Sequence, residues 1–372
     1  MLRHMKFKGG NRMKRAAMGM AVLMLLLMTG MVWGQAFEKN SKIAKTFYAS
    51  EETEIQISNK YGNIHVLPWE KDSVRIEIEL TVRAGKESKV DRLFDMVDFD
   101  FTSTRYYIIA RSVFHKNRVI SDMTSQLFSS DNNIEINYFV SIPSQSGLSI
   151  DNKFGNIYST DHYGKLDITL SNGDLKVNDI YRDAKISVEF GNVYINHINT
   201  GRLYVNYGDV EIGTAGDMMF EGKSANVNMK SIDTLSIKSR RDKFNIEEAG
   251  TFKGEMSFSY INIKNLEREL ILTTKYGEVN IGSLSEPFEF LNSTSEFTDI
   301  RLDINSGMAY DLDIYHDSKT TVKVPDGIEV KHELIDKNSD LHRTSAIVGD
   351  GAQTMPSIKI TNRAGLVSIT HK

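Results

Sequence analysis

The chain has 372 residues, no cysteine, and 45 basic against 49 acidic residues, for a net charge of −4. The missing cysteine excludes disulfides, thiolate metal sites, a cysteine nucleophile and a lipid-modified cysteine. The acidic balance excludes nucleic acid as an electrostatic partner, because no basic run beyond the N-terminus is there to neutralise phosphates.

Residues 1–36 read as a secretory signal peptide. Arg3, Lys6, Lys8, Arg12, Lys14 and Arg15 open it without a single acid, Ala16 to Met28 is apolar, and Thr29 to Ala36 is a short exit. Cleavage is expected after Gly34 or Ala36. The six basic residues lost then leave 39 against 49, a net charge of −10. The apolar run is shorter than the ~20 residues a spanning helix needs, so no transmembrane segment is expected after cleavage.

Residues 37–147 hold a first copy of a repeat signature and an α+β insertion. The copy is Ile55, Ile57, Asn59, Tyr61-Gly62-Asn63 and Ile64. Ser73 to Val82 alternates as a strand, and Lys86 to Met96 has helical spacing through Val90, Leu93 and Met96. Tyr106 to Phe114 and Ile134 to Ile142 read as further strands. An array of stacked strands exposes unpaired edges at its ends, and this segment is expected to cap one of them.

Residues 148–302 repeat every 17–18 residues. The slot residues are Gly155, Gly173, Gly191, Gly208, Ala225, Asp242, Ser259, Gly277 and Thr298, at spacings of 18, 18, 17, 17, 17, 17, 18 and 21. Apolar residues recur at −7, −5 and −3 from the slot and at +2, +4 and +7. At Gly191 these are Ala184, Ile186, Val188, Val193, Ile195 and Ile198. Spacing by two is the strand period, so each repeat reads as strand, corner, strand, corner with its apolar faces turned inward. A fixed period of this kind predicts an all-β chain folded as a parallel β-helix or β-solenoid. The corner glycines Gly62, Gly155, Gly173, Gly191, Gly208 and Gly277 are expected to supply a positive φ. The aromatic residues before the slots, Phe154, Phe190, Tyr207, Phe258, Tyr276 and Phe297, are expected to pack the corner.

Residues 303–372 are irregular strands followed by a final copy, Ile358, Ile360, Gly365, Val367 and Ile369. The polar stretch from Asp336 to Gln353 is expected to be a mobile loop.

Catalytic chemistry leaves no signature. There is no nucleophile-elbow pattern, phosphate-binding glycine loop or helical histidine pair, and His65, His197 and His316 are isolated. Asp174, Asp209, Glu211 and Glu278 face outward, but Asp209 is flanked in the neighbouring repeats by Asn192 and Asn226, so the acids do not form the paired carboxylates of a glycosidase. No cofactor or metal is called for. One outward column is regular: position +3 carries Asn228, Asn245, Asn262 and Asn280 in consecutive repeats, an amide strip able to hydrogen-bond along a parallel sheet or to a ligand.

The segments Ile57-Ser58-Asn59-Lys60-Tyr61-Gly62-Asn63-Ile64 and Ile150-Asp151-Asn152-Lys153-Phe154-Gly155-Asn156-Ile157 resemble the openings of the bacterial putative-adhesin β-solenoid domains, of the type found in Bacteroidetes and related in style to adhesin-head domains. The resemblance spans roughly residues 50–370. It implies an exported parallel β-helix and supplies no catalytic residues. The functional expectation is a non-enzymatic β-solenoid of the cell envelope that binds a glycan or an envelope protein through its repetitive faces. The alternatives are a carbohydrate-active β-helix lyase or glycosidase, and a periplasmic scaffold or stress-response protein. No barrel or wall-sorting tail follows Lys372, so periplasmic residence is expected over surface display.

Overall fold

The computed structural model describes residues 36–50, 52–115, 132–284, 286–349 and 355–372. All of the expected signal segment, residues 1–36, except its last residue lies outside them. Strands dominate: the described residues form twenty-one strands against one helix, Glu87–Phe94. The chain is all-β.

Two compact units can be separated. The described residues of the smaller are 36–40, 81–96 and 132–134. It carries the helix, whose Val90 and Leu93, three residues apart on its apolar face, are buried. Lys39 ties to this helix twice, through an ion pair with Asp91 at 2.7 Å and with its ammonium 4.5 Å from the Phe94 ring centre. The larger unit comprises Ser41–Leu80, Val97–His115 and Glu135–Lys372.

In the larger unit the strands pair in parallel at the repeat offset. Leu166–Ser171 pairs Leu166 with Ala184 and Leu170 with Val188, and the following strand pairs Leu175 with Val193 and Val177 with Ile195. Both strands of a repeat therefore meet their counterparts one repeat on. The phase holds where glycine is gone: Asn226 faces Lys243, Lys243 faces Tyr260, and Gly277 faces Thr298. All six apolar positions are buried at Gly173, Gly191 and Gly277, and Val227, Met229, Phe244, Ile246, Ile261, Ile263, Ile300 and Leu302 are buried at the degenerate slots. Even Thr274, the one polar member of its set, is 2% exposed. Alternation alone thus sorts side chains between core and surface.

The outlying copies join this ladder directly, although they are distant in sequence. Ile57 faces Ile150 and Ile64 faces Ile157, so the first copy lies beside the Gly155 repeat. Its other side is covered by inserted strands, Tyr107–Phe114 and Asn132–Pro143, with Ile57 facing Ala110 and Val66 facing Val140. At the far end Ile300 faces Val367, and Val367 in turn faces Val322. The order of stacking is therefore not the order of the chain: the final copy inserts between Thr298 and the strand Thr320–Lys323.

Four strands have no counterpart in the sequence reading. Phe37–Tyr48 carries seven polar residues among its twelve, and Val97–Ser103 runs antiparallel to Tyr107–Phe114. The stretch expected as a mobile loop from Asp336 is instead built into a hairpin: Lys331–Asp336 pairs antiparallel with Leu341–Val348, which also pairs with Tyr310–His316. Its inner face is polar, which hid it. The Thr344 hydroxyl lies 3.0 Å from His316 Nε2 and 3.0 Å from His332 Nδ1, while His342 stacks on His316. Residues 350–354 lie outside the described residues.

Candidate functional site

The corner sets the geometry of every outward face. Its left-handed residue is not the glycine but the residue before it: φ is 60° at Phe154, 58° at Asn172, 56° at Phe190, 59° at Tyr207 and 56° at Tyr276. Gly155, Gly173, Gly191, Gly208 and Gly277 do not have a left-handed φ. What they need is space. A Cβ at Gly155 would lie 2.1 Å from the Gly62 carbonyl oxygen, at Gly173 2.1 Å from that of Gly155, and at Gly191 1.8 Å from that of Gly173. These neighbours are backbone and cannot swing away, so the glycines stack because only hydrogen fits. The expectation of a positive φ is corrected at these five glycines; of the six named, only Gly62 has one, at 159°. The strain of a left-handed non-glycine residue, about 1 kcal/mol or more, sits one position earlier and is held by the ladder on either side.

A second ladder runs immediately after the slot. The Asn63 N–H donates to Asn137 Oδ1, Asn156 N–H to Asn63 Oδ1, Asp174 N–H to Asn156 Oδ1, Asn192 N–H to Asp174 Oδ1 and Asp209 N–H to Asn192 Oδ1, all at 2.8–3.0 Å. Asn226 Nδ2 then donates to Asp209 Oδ1 at 2.8 Å. From Asn137 to Asn192 each side-chain oxygen satisfies a backbone donor that the corner leaves unpaired, which explains the Gly-Asn and Gly-Asp dipeptides. The carboxylate of Asp174 is thereby structural.

The +3 column faces one long trough. A concavity of about 810 Å³ runs across seven repeats, lined in that column by Tyr158, Lys176, Tyr194, Glu211, Asn228, Asn245 and Asn262. The +5 column adds Asn178, Asn196, Lys230, Glu247 and Lys264. Three of the four predicted asparagines are brought together here, exposed, with Asn245 Nδ2 donating to Asn228 Oδ1 at 3.1 Å. Asn280 is not part of the trough lining. It is half-buried and donates along its own strand to Glu278 Oε1 at 2.9 Å, where Arg301 also binds. Beyond Tyr158 the column continues as a stack of rings: His65 lies 4.9 Å from Tyr158 and 5.1 Å from Phe139, both nearly parallel. Burial pushes the His65 imidazole pKa below its usual value, which favours the neutral ring. The lining thus grades from aromatic rings through charged groups to amides. The sequence shows the amide column, but not the tyrosines and lysines that share its trough.

The corner rings do stack, at 5.1 Å and 4° for Phe190 on Tyr207, 4.9 Å for Phe258 on Tyr276 and 5.0 Å for Tyr276 on Phe297. They are not buried: these rings and Phe154 are between 41% and 53% exposed. The left-handed residue throws its side chain outward, so the rings cover each other's faces and leave their edges to solvent.

Among the described residues, no group of three or more His, Asp or Glu could hold a metal ion, and no helix is long and apolar enough to cross a membrane. No family model matches the chain, and no curated protein matches it. Solved structures do. One is a "putative adhesin" from Parabacteroides distasonis, at 8% identity over 70% of this chain and 96% of that one, with a TM-score of 0.35. Another is a "putative lipid binding protein" from the same organism, at 11% identity over 89% and 97%, TM-score 0.31. A third is a "putative adhesin" from Bacteroides fragilis, at 10% identity over 89% and 97%, TM-score 0.25. These neighbours carry binding names rather than enzyme names. At such scores the likeness transfers neither fold detail nor function to this chain.

Proposed function

We propose that this chain is an exported, non-enzymatic β-solenoid of the bacterial cell envelope that binds an extended glycan along its trough. The solenoid reading is supported by the two parallel ladders, one on each side of the slot, at a constant offset of 17–18 residues. In this reading residues 1–36 are the leader, 37–147 and 303–372 the ends, and 148–302 the regular array. The single observation that supports the ligand class is the trough: amide, phenol and ammonium groups repeat at strand spacing, about 4.8 Å, along one open concavity. Such a surface offers hydrogen bonds to hydroxyls and ring faces to sugars, with no enclosed pocket to hold a reacting bond. Periplasmic residence is favoured over surface display.

The test is a glycan panel on the purified protein, with oligosaccharide turnover followed in parallel. Binding should fall stepwise in Asn228→Ala, Asn245→Ala and Asn262→Ala, and stay near wild type in Asn280→Ala, which lies off the trough. Equal loss in all four would remove the trough from the reading, and turnover abolished by changing Glu211 or Glu247 would replace it with an enzyme.

A further inference from the structure

The chain is acidic, yet one groove on another face gathers cations. Counting from the slot, positions −2 and −4 of the repeats from Gly208 to Gly277 line a concavity of about 470 Å³. Its −2 row runs Asn206, Lys223, Arg240, Ser257, Lys275 and contains no acid, whereas its −4 row alternates Glu221, Lys238, Glu255, Thr273. Register fixes the juxtaposition: Arg240 faces Ser257 and Ser257 faces Lys275, so Arg240 and Lys275 stand two strand spacings apart, about 10 Å, with a hydroxyl between them. The groove holds four basic residues against two acidic ones, the reverse of the chain as a whole.

The flanking cations are held in place from outside the groove. Lys275 Nζ pairs with Glu296 at 2.8 Å and lies 5.4 Å from the Tyr276 ring centre, and Lys223 Nζ lies 5.5 Å from that of Tyr207. Arg240 and Lys238 make no ion pair among the described residues. At the floor, inward positions Ser239, Met256 and Thr274 are reached. Thr274 is 2% exposed and its hydroxyl has no hydrogen-bond partner among the described residues. Gly222 opens this side of the core, since a side chain there would run into Phe220 and the Asp242 carboxylate. Lys238, Arg240, Arg241 and Lys243 lie close together in sequence but do not share one face. The first two turn to the groove, and Arg241, left-handed at φ 62°, sits on the corner.

We propose that this groove is a second binding site, for an oxoanion group (a carboxylate, sulfate or phosphate), with the Arg240 guanidinium as its principal donor. Lys223 and Lys275 flank the anion, and the Ser257 and Thr273 hydroxyls add hydrogen bonds. Arginine presents a fork of donors suited to two oxygens at once, and the acid-free row leaves it uncompensated.

The experiment is calorimetric titration of the purified protein with sodium sulfate, sodium phosphate and sodium glucuronate, chloride being exchanged to hold ionic strength constant. Saturable binding is expected for at least one of the three, weakened about tenfold or more in Arg240→Gln and in Lys275→Gln, and unchanged in Lys337→Gln, an exposed residue of the turn after Lys331–Asp336 that lines neither concavity. A glucuronate preference identifies an acidic sugar as the source of the anion, and a phosphate or sulfate preference a phosphoryl or sulfuryl group. All three substitutions are at the surface, and circular dichroism checks that the variants fold. Non-saturable heats, or saturable binding that survives Arg240→Gln unchanged, overturn the site. Either result leaves the trough untouched, because the two faces share no residue.

Discussion

Gly191→Ala tests whether the corner glycines are there for space. The new Cβ would sit 1.8 Å from the Gly173 carbonyl oxygen and 2.8 Å from its carbon, where ordinary contact begins near 3.4 Å. Relief requires the two repeats to part by roughly 1.6 Å, since a backbone carbonyl cannot rotate out of the way. The corner is pinned by Asn172 N–H to Glu189 O at 2.9 Å, Phe190 N–H to Asn206 O at 2.9 Å and Asn192 N–H to Asp174 Oδ1 at 3.0 Å. Loosening two or three such bonds, each worth about 1 kcal/mol net, predicts a loss of about 3 kcal/mol, at the upper end of overpacking costs. Urea unfolding followed by circular dichroism measures it. The control is Gly85→Ala, where a Cβ meets nothing within 4 Å, and where stability should hold or rise by up to about 1 kcal/mol. If Gly191→Ala lies within about 0.5 kcal/mol of wild type, the steric argument fails.

The slot residue Asp242 is fully buried, and burial raises its carboxyl pKa, against hydrogen bonds from Ala225 N–H, Ser239 Oγ and Arg240 N–H. A raised folded value favours the protonated form, so the stability it contributes is full below the unfolded pKa and is lost as pH rises through the folded one. Asp242→Asn should therefore gain on wild type between acid and neutral pH in paired urea titrations, and parallel pH curves would refute the assignment. Two buried asparagines at the −3 position should differ. Asn59→Leu removes the hydrogen bonds of its amide to the Ile136 and Gly62 carbonyls and from Ser112 Oγ, which keeps only Tyr138 Oη, and should cost about 2–3 kcal/mol. Asn152→Leu loses bonds to the Gly62 and Gly155 carbonyls but also removes a buried Oδ1 that has no partner among the described residues, and should cost about 1 kcal/mol, Leu170 already filling that position one repeat on. Equal unfolding midpoints for the two variants would count against this reading of the array's end.

Most of the larger unit's register was legible because one physical rule, burial on alternate positions, writes itself into every repeat. It survives at Ala225, Asp242, Ser259 and Thr298, where the slot has lost its glycine but Val227, Phe244, Ile261 and Ile300 still point inward. What was hidden depends on neighbours in space. The glycine requirement comes from the carbonyl of the previous repeat, and nothing in Phe190-Gly191-Asn192 by itself distinguishes that from a positive φ. The hairpin Lys331–Asp336 and Leu341–Val348 escaped because its inner face uses His316, Thr344 and His342 in place of apolar residues. The amide column at Asn228, Asn245 and Asn262 was readable, but its trough was not. Concavity arises from how repeats stack, and Tyr158, Lys176 and Tyr194 join it from positions whose chemistry differs from repeat to repeat.

The fixed spacing has a consequence for the ligand. Seven consecutive +3 residues, from Tyr158 to Asn262, line the trough, and six strand spacings make it roughly 29 Å long. A polymer lying along it can repeat one type of contact at successive strands, and each further unit binds as a tethered neighbour of the last, without a new loss of translational freedom. Affinity should therefore climb with oligosaccharide length and level off once the chain outruns the trough. The amide end and the aromatic end should contribute separably: Asn245→Ala should flatten the climb in its later steps, and Tyr194→Ala in a different part of it. Titrating one sugar series from monomer to octamer decides the matter. A monosaccharide that binds as tightly as the longest oligomer would mean that a single local contact carries recognition, and the trough would then be only the outer surface of a well-ordered sheet.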